Sequence, residues 1–188
     1  ESEAVRMTGL VESLLTLTRM DETTKLERSK TNLVSLSNDA AKDASVADGK
    51  RKIVITDMAG NPLDENAVVE ASIDANSMRQ VLTNLLAYAS RFSPEGAQIE
   101  IALDNEEWFD DRRMLTLEVR DHGEGIPEQL RDKVFERFYR IDNSRNSETG
   151  GSGLGLAIVS SIVNRHEGKI VALETPGGGA TMRVVIPA

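Results

Sequence analysis

Residues 150–163 read Gly-Gly-Ser-Gly-Leu-Gly-Leu-Ala-Ile-Val-Ser-Ser-Ile-Val, so that closely spaced glycines lead directly into an apolar helical segment. Glycine lets the backbone turn through conformations that other residues avoid, and it lets a ligand approach closely. The first turn of a helix presents unpaired N–H groups and the positive end of the helix dipole. A glycine turn that opens a helix is therefore a natural cradle for a phosphate group. Taken alone, the stretch fits a plain turn before a core helix equally well.

Two familiar phosphate motifs are excluded by the residues of this stretch. A P-loop requires Lys and Ser or Thr after its second glycine, and residues 150–163 contain no lysine. The dinucleotide fingerprint requires a third glycine where Leu156 stands, and a strand in front of it. Residues 140–149 are instead polar and loop-like. Whether the stretch binds a ligand, and of which kind, therefore has to be inferred from the rest of the sequence.

The acidic balance of the chain, a net charge of −9 in 188 residues, disfavours nucleic-acid binding, which needs a basic surface. An anionic ligand would have to be held by local cations and backbone dipoles. The absence of cysteine excludes disulfides and thiolate metal sites and favours the cytosol. We find no signal peptide and no apolar run near the roughly 20 residues of a membrane span. Because the chain opens without an initiator Met, we expect it to be a fragment of a longer protein.

The first third of the chain is predicted to be helical at two places. Met7, Leu10, Leu14 and Leu17 recur at spacings of three and four, which predicts an amphipathic helix with a seam like that of a coiled coil. Residues 20–31 are polar without periodicity and are interpreted as a linker. A second helix is expected from residue 33 to about residue 46, with Asn32 as its N-cap.

The remainder alternates strands and helices. A long helix is predicted from Asp74, its N-cap, to about Phe92, a short one over 128–134, and another after Gly155. Strands are predicted over 52–57, 68–73, 98–103, 114–119, 169–174 and 181–186. This pattern predicts an α/β (α+β) two-layer sandwich, in which a mixed sheet of about five strands carries helices on one face.

Four separate segments carry a family resemblance when they are taken together and in order. They are residues 80–92 (QVLTNLLAYASRF), 121–125 (DHGEG), 135–140 (FERFYR) and 151–156 (GSGLGL). These segments resemble the N, G1, F and G2 boxes of the sensor histidine kinases, which belong to the GHKL, or Bergerat-fold, ATPase superfamily. The resemblance covers about residues 33–187 and implies a mostly antiparallel sheet with three helices on one face.

The resemblance also implies a domain organisation. Residues 1–22 look like the end of the dimerisation and histidine-phosphotransfer helix of the family, and residues 23–32 look like a linker. Residues 33–188 are expected to form the catalytic ATP-binding domain. We expect the parent protein to be a homodimeric sensor in the cell membrane, with this part in the cytoplasm.

The implied cofactors are ATP and Mg²⁺. By the family pattern, Asp121 accepts from the adenine amino group and Asn84 is the magnesium ligand; each residue alone would be an ordinary turn or surface side chain. Arg91 and Arg140 match phosphate-contacting positions, the latter at the start of a lid over residues 140–152. The candidate ATP-binding residues are Asn84, Tyr88, Arg91, Phe92, Asp121, Gly123, Gly125, Ile126, Arg140, Gly151, Ser152, Gly153, Leu154, Gly155 and Leu156.

The resemblance favours a kinase over an ATPase. Related ATPases hydrolyse ATP with a Glu one helical turn before the metal Asn, whereas this chain has Gln80 there, and an amide cannot take a proton from water. The phosphoryl group would instead pass to a histidine on the dimerisation domain and then to a response regulator receiver domain. Neither His122 nor His166 lies in an acceptor-like segment, so the acceptor is expected to be absent and the fragment not to phosphorylate itself. We expect no nucleic-acid partner and no direct membrane contact by the fragment.

Tyr88 departs from the family pattern, which usually has a second Asn at this position. A phenol cannot reproduce both the donor and the acceptor of an amide, so the magnesium and phosphate contacts become uncertain. This leaves open a degenerate module that binds nucleotide weakly or without metal and acts through protein contacts. A stand-alone ATPase is a third possibility, which Gln80 opposes.

Overall fold

The computed structural model describes residues 25–47, 51–141 and 152–188, together with Met7 and Val11. Gly151 and most of the predicted lid lie outside the described residues. The predicted amphipathic helix over 7–17 is described only at Met7 and Val11, which have helical backbone and are exposed. Among the described residues, no helix has the length and apolar character needed to cross a membrane.

The described elements follow one another along the chain as strands and helices. Two single-turn 3₁₀ helices, Glu128–Leu130 and Lys133–Phe135, occupy the place of the short helix predicted over 128–134. The remaining elements are β1 (Ser29–Asn32), α1 (Leu33–Ala47), β2 (Ile53–Thr56), β3 (Glu70–Ile73), α2 (Ala75–Phe92), β4 (Ile99–Asp104), β5 (Trp108–Phe109), β6 (Arg112–Arg120), α3 (Gly155–Arg165), β7 (Lys169–Glu174) and β8 (Ala180–Pro187).

The main sheet has the strand order β2-β4-β6-β8-β7, and β5 pairs with β6 as a short hairpin. β2 and β4 are parallel, and the other neighbouring pairs are antiparallel. Alternate residues of the central strands, such as Leu115, Leu117 and Val119, are buried in the core, as the period of two requires. The predicted mixed, mostly antiparallel sheet of about five strands with helices on one face is confirmed.

Helix α2 is the middle helix of the layer that covers the sheet, because it packs against both α1 and α3. Its apolar stripe is buried, as the spacing of three and four predicts. The buried residues of α2 are Met78, Val81, Leu82, Leu85, Leu86 and Ala89. Asn84, which is not part of the buried stripe, contacts the first residue of α3, Gly155.

Both predicted N-caps are present. Asn32 Oδ1 accepts from the backbone N–H of Val34 at 3.1 Å and from that of Val69 at 3.2 Å. Asp74 Oδ1 accepts from the backbone N–H of Ser77 at 2.9 Å. Each cap satisfies a backbone donor that the first turn of a helix leaves unpaired, which is why α1 and α2 begin where they were predicted to begin.

Strand β1 was missed by the sequence reasoning, because it lies within the stretch interpreted as a polar linker. Its four residues, Ser29–Asn32, pair antiparallel with β3, Glu70–Ile73, in a separate two-stranded sheet. A polar tetrapeptide has no alternation to reveal a strand, and its pairing depends on a partner some forty residues away in the chain. The division of the chain into domains stays a prediction, but the ordered fold extends into its proposed linker.

His166 is a buried polar residue that joins the ends of two helices. The backbone N–H of Asp74, at the start of α2, donates to His166 Nε2 at 3.3 Å. His166 Nδ1 lies 2.9 Å from the carbonyl oxygen of Ile162 in α3. These partners fit a neutral ring with its proton on Nδ1. Burial lowers the pKa of His166 below its usual value of 6.5.

We expect stability to decline in mild acid because of His166. Below pH 6.5 the unfolded chain binds a proton that the folded chain resists, so the free energy of unfolding falls with a slope of at most ~1.4 kcal/mol per pH unit. This contribution is fully present above pH 6.5 and is lost as the pH falls towards the lowered pKa. Guanidinium denaturation between pH 8 and pH 5 measures it. The His166→Gln variant should lose this part of the slope, and an equal slope in both proteins would contradict the assignment.

Candidate nucleotide site

A cavity of about 900 Å³ opens between the C-terminal half of α2 and the N-terminus of α3. This volume lies within the range of roughly 300–1,000 Å³ that is typical of small-molecule sites. Residues from five separate parts of the chain form its wall. They are Asn84, Ala87, Tyr88, Arg91, Phe92, Ser93, Pro94, His122, Gly123, Glu124, Val134, Tyr139, Arg140, Ile141, Ser152, Gly153, Gly155 and Leu156.

Most of the predicted site residues meet at this cavity, although they are up to 72 positions apart in the chain. The predicted residues in the wall are Asn84, Tyr88, Arg91, Phe92, Gly123, Arg140, Ser152, Gly153, Gly155 and Leu156. Asp121, Gly125, Ile126 and Leu154 do not belong to that wall, and Gly151 lies outside the described residues. The structure thus brings the four sequence motifs together, while their contacts with ATP stay a prediction.

Asp121 lies just behind the wall at Gly123. Its carboxylate is buried, and Oδ1 accepts from the backbone N–H of Gly123 at 2.9 Å and from that of Ala180 at 3.0 Å. Neither of these two bonds uses Oδ2. Gly123 has no room for a side chain, because a Cβ there would lie 2.3 Å from the carbonyl oxygen of Phe92. The glycine therefore lets the strand end, with its carboxylate, approach α2 closely.

The other predicted residues behind the wall shape it from the core. Ile126 and Leu154 are buried in the hydrophobic core. Gly125 has a φ of +75°, and a Cβ there would lie 3.0 Å from the carbonyl oxygen of Gly179. The buried side chains of Ile126 and Leu154 thus anchor the neighbouring glycine segments, 121–125 and 152–155, in the core.

Asn84 connects the two helices that flank the cavity. Its Nδ2 donates to the carbonyl oxygen of Gly155 at 3.3 Å, and its Oδ1 accepts from Gln80 Nε2 at 3.4 Å. Both bonds are long, so the amide is held loosely. The described residues contain no group of three or more His, Cys, Asp or Glu that could hold a metal. One amide oxygen therefore suits only a Mg²⁺ that takes its other ligands from phosphates and water.

Tyr88 packs beside Asn84 on the cavity wall. Its ring lies 4.5 Å from that of Phe92, centroid to centroid, and the Arg91 guanidinium lies 5.3 Å from the Phe92 centroid. Burial raises the pKa of the Tyr88 hydroxyl above its usual value, the negative charge of Asp121 raises it further, and Arg91 acts in the opposite direction. Tyr88 is therefore a neutral phenol at neutral pH.

The N-terminus of α3 faces the cavity without a side-chain cap. Leu154 holds the N-cap position and makes no side-chain capping bond, while Gly155 and Leu156 line the cavity. The turn before it requires glycine at 153, where φ is +71° and a Cβ would lie 2.9 Å from the carbonyl carbon of Phe138. The unpaired N–H groups and the helix dipole fit an anionic group at this point.

Sequence reasoning missed part of the wall. Ala87, Glu124 and Tyr139 lie inside the motif segments quoted above, so their neighbours in sequence could have indicated them. Ser93 and Pro94 directly follow the last residue of α2. No sequence signal marked Val134 and Ile141, which reach the cavity only through the packing of the fold.

The family model described as "Histidine kinase-, DNA gyrase B-, and HSP90-like ATPase" matches residues 73–188. The chain is 39% identical over 176 residues to the probable sensor histidine kinase TcrY of Mycobacterium tuberculosis, with 94% of this chain and 34% of that protein covered. It is 41% identical over 125 residues to the sensor histidine kinase WalK of Bacillus subtilis, with 66% and 20% covered. The chain thus spans about a third or less of the length of these two relatives.

Solved structures show the same fold. The catalytic domain of histidine kinase ThkA matches with a TM-score of 0.66 and 25% identity, over 86% of this chain and 96% of that chain. Full-length ShkA, solved in complex with AMPPNP, matches with a TM-score of 0.72 and 22% identity, over 96% and 35% of the two chains. The relatives favour the kinase hypothesis over the degenerate-module alternative. The chain belongs to the histidine kinase-, DNA gyrase B- and HSP90-like ATPase family, and within it to the ATP-binding catalytic domains of sensor histidine kinases.

Proposed function

We propose that this chain binds ATP with Mg²⁺ and donates the γ-phosphoryl group to a histidine on a dimerisation domain of the same kinase. The observation that carries this proposal is the cavity between Asn84 and the uncapped start of α3, with Arg91 and Arg140 in its wall. The partners would be the dimerisation domain, in a homodimeric parent, and the receiver domain of a response regulator. The parent would be a membrane sensor with this domain on its cytoplasmic side.

The residues of the cavity suit phosphoryl transfer because this reaction depends mainly on positioning and charge neutralisation. Arg91 and Arg140 would offset phosphate charge that the overall acidic chain repels, and the N-terminus of α3 would hold a phosphate through its N–H groups. Asp121 would accept from the adenine amino group through Oδ2. Gln80 provides no carboxylate to activate water, which supports transfer rather than hydrolysis.

A bound Mg²⁺ would neutralise phosphate charge and orient the phosphates. Asn84 Oδ1 is the proposed protein ligand, and it would have to exchange its bond from Gln80 for the metal. The 3.4 Å length of that bond makes the exchange inexpensive. The presence of AMPPNP in the ShkA complex supports a nucleotide site in a protein of this fold.

A transfer assay tests the proposed function. The chain is mixed with γ-³²P-ATP, Mg²⁺ and the separately produced dimerisation domain of the parent protein. We expect label on the dimerisation domain, no label on the chain alone, and no label when the acceptor histidine is replaced by Gln. Release of inorganic phosphate without labelled protein would instead identify an ATPase and refute the proposal.

Tyr88→Asn tests whether the missing second amide limits metal use. An amide at this position adds a neutral oxygen that suits Mg²⁺, so affinity for an ATP analogue should rise by about tenfold with Mg²⁺ and change less than about twofold without it. Tyr88→Phe, which keeps the ring and removes the hydroxyl, is the matched control and should show no such gain. Calorimetric titration with and without Mg²⁺ measures both. An equal gain in both conditions would mean that Tyr88 acts by its bulk.

A further inference from the structure

Residues 25–28, which we call the leading segment, contact the domain near the end of α3. The backbone N–H of Glu27 donates to Asp74 Oδ2 at 3.0 Å. Arg28 forms an ion pair with Glu167 at 3.1 Å, and Glu167 also lies 3.5 Å from Arg112. The leading segment is thus held by two exposed contacts, the hydrogen bond to the Asp74 carboxylate and the ion pair with Glu167. A hydrogen bond to a charged group generally contributes more than an exposed ion pair, so the bond to Asp74 is the stronger of the two attachments.

Asp74 divides its two carboxylate oxygens between two elements. Oδ1 accepts from Ser77 and caps α2, whereas Oδ2 accepts from Glu27 of the leading segment. Burial alone would raise the pKa of Asp74, but these hydrogen bonds lower it below its usual value, so the group is ionised at neutral pH. The same residue also donates its own N–H to His166 Nε2. Asp74 therefore contacts the leading segment, α2 and the end of α3 at once.

The two helices that meet at this point are the helices that flank the cavity at their other ends. Asn84 lies ten positions after Asp74, about 15 Å along α2. Gly155, the first residue of α3, accepts a bond from Asn84 at the cavity, and His166 follows the last residue of α3. A change at Asp74 and His166 thus acts on one end of a helix pair whose other end forms the nucleotide site.

Protonation of His166 is incompatible with the observed bonds. Nε2 accepts from the Asp74 N–H, and Nδ1 faces the carbonyl oxygen of Ile162, so an added proton must go on Nε2. Two donors would then face each other, and the new N–H would have to find another acceptor. The Asp74 carboxylate, at the N-cap of α2, is the negative charge that favours the charged ring, and its Oδ2 is the oxygen that Glu27 uses.

We propose that Asp74 and His166 form a proton-operated latch, which holds the leading segment while His166 is neutral and releases Glu27 when His166 is charged. In the charged state, Asp74 Oδ2 accepts from His166 Nε2–H in place of the Glu27 N–H. The latch would make the attachment of the leading segment depend on pH; that this segment joins the domain to a dimerisation helix rests on the proposed function.

The charges around His166 set the direction of the latch. Burial disfavours the charged ring, and Arg28 from the leading segment and Arg165 from α3 disfavour it further, whereas Asp74 favours it. Glu167 is already paired with Arg28 and Arg112. The latch is therefore closed at neutral pH and opens on acidification below the usual titration range of histidine.

Amide hydrogen exchange of the whole chain tests the latch. Protection of the Glu27 amide, corrected for the intrinsic effect of pH, should fall by at least fivefold on acidification, about the value of one hydrogen bond, with the midpoint of the His166 ring titration. The Ser77 amide should keep its protection. In His166→Gln the Glu27 protection should not follow pH, while His122→Gln, which replaces the only other histidine, should behave like the unaltered chain. Glu27 protection that stays constant while His166 titrates would overturn the proposal.

A second pair of variants keeps the test valid if His166→Gln does not fold. Glu27→Pro removes the N–H that Asp74 Oδ2 accepts, and Glu27→Ala keeps it, while both remove the same charge. If the Glu27 N–H and the charged ring compete for Oδ2, His166 should take up its proton at a higher pH in Glu27→Pro than in Glu27→Ala. Identical NMR titrations of His166 in the two variants would refute the exchange of partners.

Discussion

Replacing Asp121 with Asn is expected to lower the affinity of the chain for ATP by about 100-fold while changing the free energy of unfolding by less than about 1.5 kcal/mol. The amide oxygen can take the place of Oδ1 and keep the bonds from Gly123 and Ala180. The NH₂ group then replaces Oδ2. If Oδ2 accepts from the adenine amino group, the variant places the Asn NH₂ donor opposite the adenine NH₂ donor, and this hydrogen bond is lost.

Two comparisons separate this effect from damage to the fold. GTP carries an acceptor oxygen where ATP carries the amino group, so Asp121→Asn should improve GTP binding relative to ATP by at least tenfold. Asp121→Ala removes the acceptor of the buried Ala180 N–H and of the half-buried Gly123 N–H, and should cost about 2–4 kcal/mol of stability. Calorimetric titrations and denaturation curves measure these changes. Equal ATP affinity in Asp121→Asn and the unaltered chain would remove Asp121 from the adenine site.

Gly179→Ala is expected to destabilise the domain by at least ~4 kcal/mol, a large share of the total stability of a typical domain. Gly179 has a φ of +114°, and a Cβ there would lie 2.0 Å from the carbonyl oxygen of Asp121. The backbone of β8 or of the 121–125 turn must shift to remove this overlap. Because that turn holds the Asp121 carboxylate, nucleotide affinity should fall together with stability.

Gly178→Ala is the matched control for this prediction. Gly178 also has a positive φ, +104°, but a Cβ there meets nothing within 4 Å. Its substitution should therefore cost only backbone strain, about 1–3 kcal/mol. Chemical denaturation of the two variants measures the difference. Equal destabilisation of the two variants would show that the overlap with the Asp121 carbonyl oxygen does not contribute to the effect of Gly179→Ala.

Local signals were enough to predict most of the fold. Helix α2 was predicted from its cap at Asp74 to its end near Phe92, because capping chemistry and a stripe of buried residues both act within a few residues of chain. Strand β1 was missed because nothing within Ser29–Asn32 distinguishes it from a linker. Its conformation depends on pairing with β3, some forty positions along the chain, and on the hydrogen bond that Asn32 Nδ2 donates to the carbonyl oxygen of Ala67.

The site was predictable where glycine and charge leave a local pattern, and less so where packing decides. The glycines of the motif segments were predicted to let a ligand approach; at Gly123 and Gly153 the structure instead has backbone atoms of residues 92 and 138 where a side chain would be. The buried position of Asp121 could not be predicted, because it depends on a hydrogen bond to Ala180, 59 positions away. Val134 and Ile141 are apolar residues outside the motif segments, and only the assembled core shows that they reach the cavity.

The most direct test of the central claim is to locate ATP on the chain by NMR. The ¹⁵N-labelled chain is titrated with a non-hydrolysable ATP analogue in the presence of Mg²⁺. We expect saturable shifts of the Gly123, Gly155 and Leu156 amides, while the indole N–H of Trp108, the only tryptophan, stays unchanged as an internal reference. Shifts confined to other parts of the molecule, or none at all, would contradict the assignment of this cavity as the nucleotide site.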